Sequence, residues 1–173
     1  MRTKIGILCL AALLIAGCTR QAPQRPSQRK GEAPPVDSAA LALMELNQQL
    51  AYAADREVTK AVQLQGEPFA VYEAKTWMYV SDRGDTHTET PKEGERWVIR
   101  MQVCNLDGLL LEDSEHSYRI RKSELPAAVD ENIGELHRGA KARLIAPWYS
   151  AFGAQGTTHI PPYENVIIDI ELK

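Results

Sequence analysis

The chain has 173 residues, and its 20 basic and 23 acidic side chains give a net charge of −3. These charges are scattered and form no basic stripe that could neutralise phosphates, which disfavours a nucleic-acid-binding protein. The four histidines show no spacing typical of metal ligands, so we expect neither a metal nor a cofactor.

The first seventeen residues have the pattern of a targeting signal. Arg2 and Lys4 give a basic start, and the apolar run over residues 5–15 is too short to span a bilayer. The ending Ile-Ala-Gly-Cys at residues 15–18 resembles the lipobox of bacterial lipoproteins, which implies cleavage before Cys18 and acylation of that residue. A plain secretory signal with a chance cysteine is the alternative. Since several acyl chains bind a membrane more firmly than one, we expect a lipid-anchored protein of the bacterial envelope, on the outer membrane facing the periplasm.

Little structure is predicted directly after the signal. Residues 18–36 are rich in Gln, Pro, Arg and Ser and hold almost no large apolar side chain, so they are predicted to be a flexible linker. Without Arg2 and Lys4, 18 of the 20 basic residues remain against 23 acidic ones, a net charge of −5. The one thiol beyond Cys18 is Cys104, whose place in an alternating apolar run predicts a buried side chain without a catalytic or metal-binding role.

A helix is predicted over residues 37–66, with Asp37 or Ser38 as its cap and Gly66 as its end. One apolar face runs along most of its length. That face comprises Leu43, Leu46, Leu50, Ala54, Val58 and Val62. It can pack on the chain's own domain, or it can bind a partner or a second copy, so self-association through this helix is one of two interpretations.

Residues 67–173 are long enough for one compact core. Strands are predicted over residues 76–80, 97–104, 109–112, 117–121, 141–145 and 166–172. In the last of these, Ile168, Ile170 and Leu172 alternate with Ile167, Asp169 and Glu171, the period of a strand with one buried face. One short helix is predicted over residues 127–137. Strands outnumber helices, which predicts an α+β domain.

A fixed order of motifs closes the chain. Pro147 and a short spacer precede Ala151-Phe152-Gly153 and Gly156, and then come Ile160-Pro161-Pro162 and the final strand. This order resembles the C-terminal signature of FKBP-type peptidyl-prolyl isomerases, which reads Pro, Ala-Tyr-Gly, Gly, Ile-Pro-Pro and a closing strand. Upstream, Leu106-Asp107-Gly108 resembles the family's Leu-x-Asp-Gly hairpin, and residues 139–142 resemble its Gly-x-x-Ala step. The similarity covers about residues 76–172.

The resemblance implies both a fold and an activity. The fold is an FKBP-like curved antiparallel sheet wrapped around one short helix, here preceded by an N-terminal helix. The activity is that of a prolyl isomerase or folding helper for proline-containing polypeptides. Rotating an X–Pro bond crosses a barrier of about 18–20 kcal/mol, and an apolar pocket that excludes water favours the less polar, twisted amide. The preceding helix and Trp77-Met78-Tyr79 are similar to the lipoprotein branch of the family that is linked to gliding motility.

The resemblance also assigns a proline site. Its residues are Leu111, Glu112, Tyr118, Leu125, Pro126, Val129, Phe152, Ile160 and Ile168. Several depart from the family. Phe152 lacks the tyrosine hydroxyl that reaches a substrate carbonyl, and Val129 replaces a tryptophan floor. Pro126 stands where the family uses a backbone N–H donor, and proline has no N–H. A shift of the alignment by one residue there would restore that donor.

Two functions are compatible with this pattern. One is a membrane-anchored isomerase or folding helper for envelope proteins. The other is a non-catalytic FKBP-like binding module in an envelope or gliding-motility assembly, which the departures at Pro126, Val129 and Phe152 favour. The site residues can equally be ordinary core, as large apolar residues on strands usually are. The intact Ile160-Pro161-Pro162 loop favours a site.

Overall fold

The long helix predicted before the strands is present. A computed structural model describes residues 38–173, and in it helix α1 spans Ser38–Gln65. Gly66 follows with a φ of +79°, a left-handed conformation that glycine adopts without strain and that ends the helix. The signal, Cys18 and the linker, which were predicted from sequence, lie outside the described residues. Within the described residues, no helix has both the length and the apolar character needed to cross a bilayer.

Six strands form one sheet in which every neighbouring pair is antiparallel. They are β1 Ala70–Val71, β2 Trp77–Asp82, β3 Arg96–Asn105, β4 Leu110–Arg119, β5 Lys141–Ala146 and β6 Val166–Leu172. Their order across the sheet is β1-β2-β5-β6-β3-β4, which makes β4 an edge strand and β6 a central one. The predicted α+β class and FKBP-like arrangement are confirmed.

Two predicted elements differ from the structure. The helix predicted over residues 127–137 is only a short α2, Ala127–Asp130, followed by a 3₁₀ turn at Ile133–Glu135. Asn132 interrupts it, because its side-chain amide donates to the carbonyls of Ala128 at 2.8 Å and Glu73 at 3.3 Å. The strands predicted over residues 109–112 and 117–121 are one continuous β4. Polar residues fill its middle because an edge strand exposes much of its surface.

The sheet packs on both faces. Its concave face covers α2 and the main core, which includes Ile99, Val103, Leu144 and Ile168. On the opposite face, Val58 and Ala61 of α1 pack against Ile145 of β5 and Ile167 of β6. The final strand therefore has two buried faces near its start, whereas its alternation predicted one. The second buried face exists because α1 covers it.

Only the second half of α1 is buried in this way. Ala54, Val58 and Ala61 are buried, whereas Leu43 and Leu46 are more than half exposed. Packing of the helix on the chain's own domain is therefore observed for its second half, whereas partner binding through its first half stays a prediction. Cys104 lies partly buried beside the α1 layer, and burial raises the pKa of its thiol, which disfavours the reactive thiolate.

Candidate functional site

The concave face gathers the residues that the sequence assigned to the proline site. Leu125, Val129, Ile160 and Ile168 belong to the main core, and Leu111, Tyr118 and Phe152 pack against it from the surface. We call the first group the floor and the second group, with Glu112 and Pro126, the rim. The floor residues come from α2, β6 and the segments beside them, and the rim residues come mainly from β4 and the connection before β6.

The floor is closed in this conformation. Val129 and Ile168 have no exposed surface, and Ile160 is 1% exposed. Ile168 lies between Val103 of β3 and Leu144 of β5, both of which are also fully buried. A proline ring would reach these side chains only if rim residues moved aside. The rim residues are half-buried, so a client would contact them before the floor residues.

An irregularity in β4 places its rim residues. The register with β3 shifts between Val103 and Cys104, where Val103 pairs with Glu112 and Cys104 pairs with Leu110. Leu111 is the extra residue, and this bulge turns its side chain onto the main core. Glu112 then lies opposite Val103, with its Oε2 at 3.9 Å from Nδ1 of His159. The bulge thus brings an apolar side chain and a carboxylate to the same end of the site.

The other side of the site is the connection between β5 and β6, residues 147–165, which we call the wall loop. It holds its shape through backbone hydrogen bonds. The carbonyl of Trp148 accepts the N–H of Gly153 at 2.8 Å, and the carbonyl of Gly153 accepts the N–H of Tyr163 at 3.3 Å. Farther along, the carbonyl of Ile160 accepts the N–H of Thr157 at 2.8 Å. Phe152 and Ile160 are therefore presented by a loop with a defined conformation.

Pro126 immediately precedes α2. Leu125 before it is buried, and Ala127 after it begins the helix and is exposed. The carbonyl of Pro126 accepts the N–H groups of Val129 and Asp130, both at 2.9 Å. Its ring nitrogen carries no hydrogen, so residue 126 offers no backbone donor to a ligand.

Sequence reasoning missed a polar group on the same face. Ser114 of β4 lies opposite Met101 of β3, whose side chain is buried. Asp113, the residue before Ser114, accepts a hydrogen bond from Arg100 at 3.1 Å on the outer face. Successive side chains in a strand alternate between faces, so Ser114 points to the concave side. Its Oγ is buried and has no hydrogen-bond partner among residues 38–173. This hydroxyl is thus a buried donor on the face of β4 that carries the rim residues. The alternation that places it there became clear only once β4 was continuous.

His116 was missed for the same reason. It lies opposite Ile99, two residues beyond Ser114 on the same face, and its ring meets that of Tyr118 edge-on with centroids 6.1 Å apart. Among the described residues, no three histidine, cysteine, aspartate or glutamate side chains lie close enough to bind a metal ion. The arrangement is an apolar site with a few polar groups at its edge, which suits binding and desolvation of an amide.

Comparison with known proteins gives consistent results. The sequence profile of the family described as FKBP-type peptidyl-prolyl cis-trans isomerase matches residues 87–173. The fold is similar to that of a peptidyl-prolyl cis-trans isomerase from Pseudomonas syringae pv. tomato, with a TM-score of 0.60, 19% identity, and coverage of 82% of this chain and 96% of that one. It is also similar to FkpA from Escherichia coli, with a TM-score of 0.59, 23% identity, and coverage of 78% of this chain and 63% of that one. A comparison with curated proteins gives no significant match.

Proposed function

Because the chain belongs to the family of FKBP-type peptidyl-prolyl cis-trans isomerases, we propose that its concave site holds the proline of a polypeptide client and speeds rotation of the preceding amide. The observation that carries this proposal is the gathering of Leu111, Tyr118 and Phe152 on one apolar core beside the wall loop. The reaction needs no nucleophile. It needs a place where the amide loses its water and twists.

The rim residues have distinct parts in this mechanism. Tyr118, Leu111 and Phe152 move apart to admit the ring and exclude water around it. Glu112 stays at the edge of the site, where its carboxylate lies 3.9 Å from the His159 ring of the wall loop. Once the rim has opened, the Ser114 hydroxyl, which is buried in the closed conformation, donates to a carbonyl next to the proline, a contact that Phe152 and Pro126 do not provide.

The proposal predicts that Phe152→Tyr improves the enzyme. The new hydroxyl would donate to a substrate carbonyl, and one net hydrogen bond contributes about 0.5–1.5 kcal/mol, so kcat/KM should rise by about two- to tenfold. The measurement is isomerisation of a short Xaa–Pro peptide by the wild type and this variant, with Phe152→Ala expected to lose activity. Clear wild-type activity that Phe152→Ala leaves unchanged would place the site elsewhere.

A second candidate is a binding module that does not catalyse. The buried floor favours it, because Val129 and Ile168 present no surface to a ligand unless the rim opens. In this case the rim and wall loop bind a proline-containing segment within an envelope assembly. A peptide that binds at Phe152 without faster isomerisation, in the wild type and in Phe152→Tyr alike, would establish this function and exclude the enzyme.

We further propose that the protein is anchored in a bacterial envelope through lipid on Cys18, in the manner of the lipoprotein branch that resembles the gliding-motility isomerases. The basic start, the apolar run and the Ile-Ala-Gly-Cys ending support this. Cys18→Ser should leave the chain uncut or release it from the membrane fraction, which fractionation with mass spectrometry of the N-terminus detects. Cys104→Ser is the matched control and should fractionate normally. A Cys18→Ser chain that is processed and anchored like the wild type would contradict the anchor.

Self-association through α1 is the last part of this proposal. Leu43 and Met44 are 59% and 68% exposed, and Glu45 is the only charged residue over residues 38–54. Two such faces can pair without charge repulsion, so a second copy is the proposed occupant. Sedimentation velocity should give a dimer for residues 19–173, a monomer for Leu43→Glu, and a dimer for Leu64→Glu at the other end of the helix. A monomeric wild type at high concentration would exclude the pairing.

A further inference from the structure

Helix α1 lies outside the residues that match the family profile, yet its side chains reach the wall loop. The link is Asn165, which is 8% exposed at the end of that loop. Its Oδ1 accepts the backbone N–H of Trp148 at 2.9 Å, and its Nδ2 donates to Oε2 of Glu57 on α1 at 2.8 Å. One buried amide therefore joins the helix to both ends of the loop.

A second contact comes from Asp55, two residues before Glu57 on α1. The hydroxyl of Tyr149 donates to Oδ1 of Asp55, and the other carboxylate oxygen, Oδ2, lies 3.5 Å from Nζ of Lys75. Tyr149 follows Trp148 directly, and their rings meet edge-on with centroids 5.5 Å apart. Two adjacent residues of the wall loop are thus linked to α1, one through Asn165 and one directly.

From Trp148 the connection continues to Phe152. The carbonyl of Trp148 accepts the N–H groups of Ala151 at 3.2 Å and Gly153 at 2.8 Å, the residues on either side of Phe152. The Trp148 ring also packs against that of Tyr163, with centroids 4.9 Å apart. The residue whose N–H is held by Asn165 is therefore also the one whose carbonyl fixes the backbone around Phe152.

We propose that α1 is a positioning element of the proline site, in which Glu57 and Asp55 hold the wall loop through Asn165 and Tyr149. This inference rests on the proposed function and deepens it. None of these four residues touches the client. They fix the position of Phe152, so loss of either contact with α1 should weaken binding of a client at the rim.

The test compares two substitutions at Glu57, which is exposed and can be changed without disturbing the core. Glu57→Ala removes the acceptor of the Asn165 amide, whereas Glu57→Gln keeps a carbonyl oxygen there. Gln65→Ala is a control elsewhere on the same helix, because Gln65 contacts Arg143 at 3.3 Å and not the wall loop. Tyr149→Phe removes the second contact independently.

Two readouts are needed. Amide hydrogen exchange at Ala151 and Gly153 reports the loop without any activity, and peptide isomerisation reports KM and kcat. Glu57→Ala and Tyr149→Phe should each speed exchange at these amides and raise KM by about three- to tenfold, the range that one net hydrogen bond supports. Glu57→Gln and Gln65→Ala should stay within about twofold of the wild type by the same reasoning.

Distinct results overturn the inference and the proposed function. Unchanged exchange at Gly153 in both Glu57→Ala and Tyr149→Phe overturns the positioning role, whatever the activity. Faster exchange with an unaltered KM in an active enzyme overturns it as well. If the wild type does not isomerise the peptide, the isomerase proposal fails. In that case the affinity of the variants for the same peptide, measured by fluorescence, replaces KM as the test of the positioning role.

Discussion

Gly156→Ala should disrupt the wall loop and lower isomerase activity more than tenfold. Gly156 has a φ of +64°, and a Cβ there would overlap the carbonyl oxygen of Ile160 and lie 2.7 Å from that of Pro161. Both neighbours are backbone atoms and cannot turn away as a flexible side chain would. The loop must therefore shift, and the Ile-Pro-Pro segment that carries Ile160 shifts with it.

Gly153→Ala is the matched control for this change. Gly153 has a φ of +75°, yet a Cβ there would meet nothing within 4 Å. The control therefore has only the cost of the left-handed conformation, about 1–2 kcal/mol for an L-residue. Urea unfolding and peptide kinetics on both variants separate the two effects. If Gly156→Ala lost no more stability and activity than Gly153→Ala, the close approach of residues 156 and 160 would not exist in solution.

Ile168→Ala should lower the free energy of unfolding by about 2–5 kcal/mol, because it leaves a cavity that the rigid core fills only in part. Ile168 has no exposed surface and lies on central strand β6 between two fully buried side chains, Val103 and Leu144. Ile168→Val should cost about 0.5–1.5 kcal/mol, since it removes a single methyl group. Leu109→Ala, at a side chain 63% exposed, should change stability by less than about 0.5 kcal/mol.

Denaturant unfolding of the three variants measures these differences. A loss for Ile168→Ala as small as that for Leu109→Ala would show that the floor is open to water in solution. The distinction matters for function. An open floor would let a proline ring enter directly, whereas the closed floor described above requires the rim to move. That movement costs free energy and so weakens binding.

Much of the fold could be predicted from the sequence because local patterns encode it. Gly66 ends α1, and the alternation over residues 166–172 identifies β6. Where local pattern and tertiary context disagreed, the prediction was wrong. The polar centre of β4 suggested two strands, and Asn132 splits the predicted helix through bonds to Ala128 and to Glu73, a residue distant in sequence.

The grouping of the candidate site residues on one core was predictable in part for the same reason. Its residue types follow from motifs, but whether Val129 or Ile168 is accessible depends on how the rim packs over them. The contact of Asn165 with Glu57 joins residues 108 positions apart and follows no sequence period. The buried hydroxyl of Ser114 could be assigned to the face of the candidate site only when the register of β4 with β3 was known.

The central claim is that proline binds and isomerises between β4 and the wall loop. Two-dimensional NMR exchange spectroscopy on a short Xaa–Pro peptide, recorded with residues 19–173 labelled for chemical-shift mapping, tests it in one experiment. We predict cis–trans exchange peaks at catalytic protein concentrations, with the largest shift changes at Tyr118 and Phe152. Exchange peaks with shift changes confined to other surfaces, or no exchange and no shift changes at all, would contradict the claim.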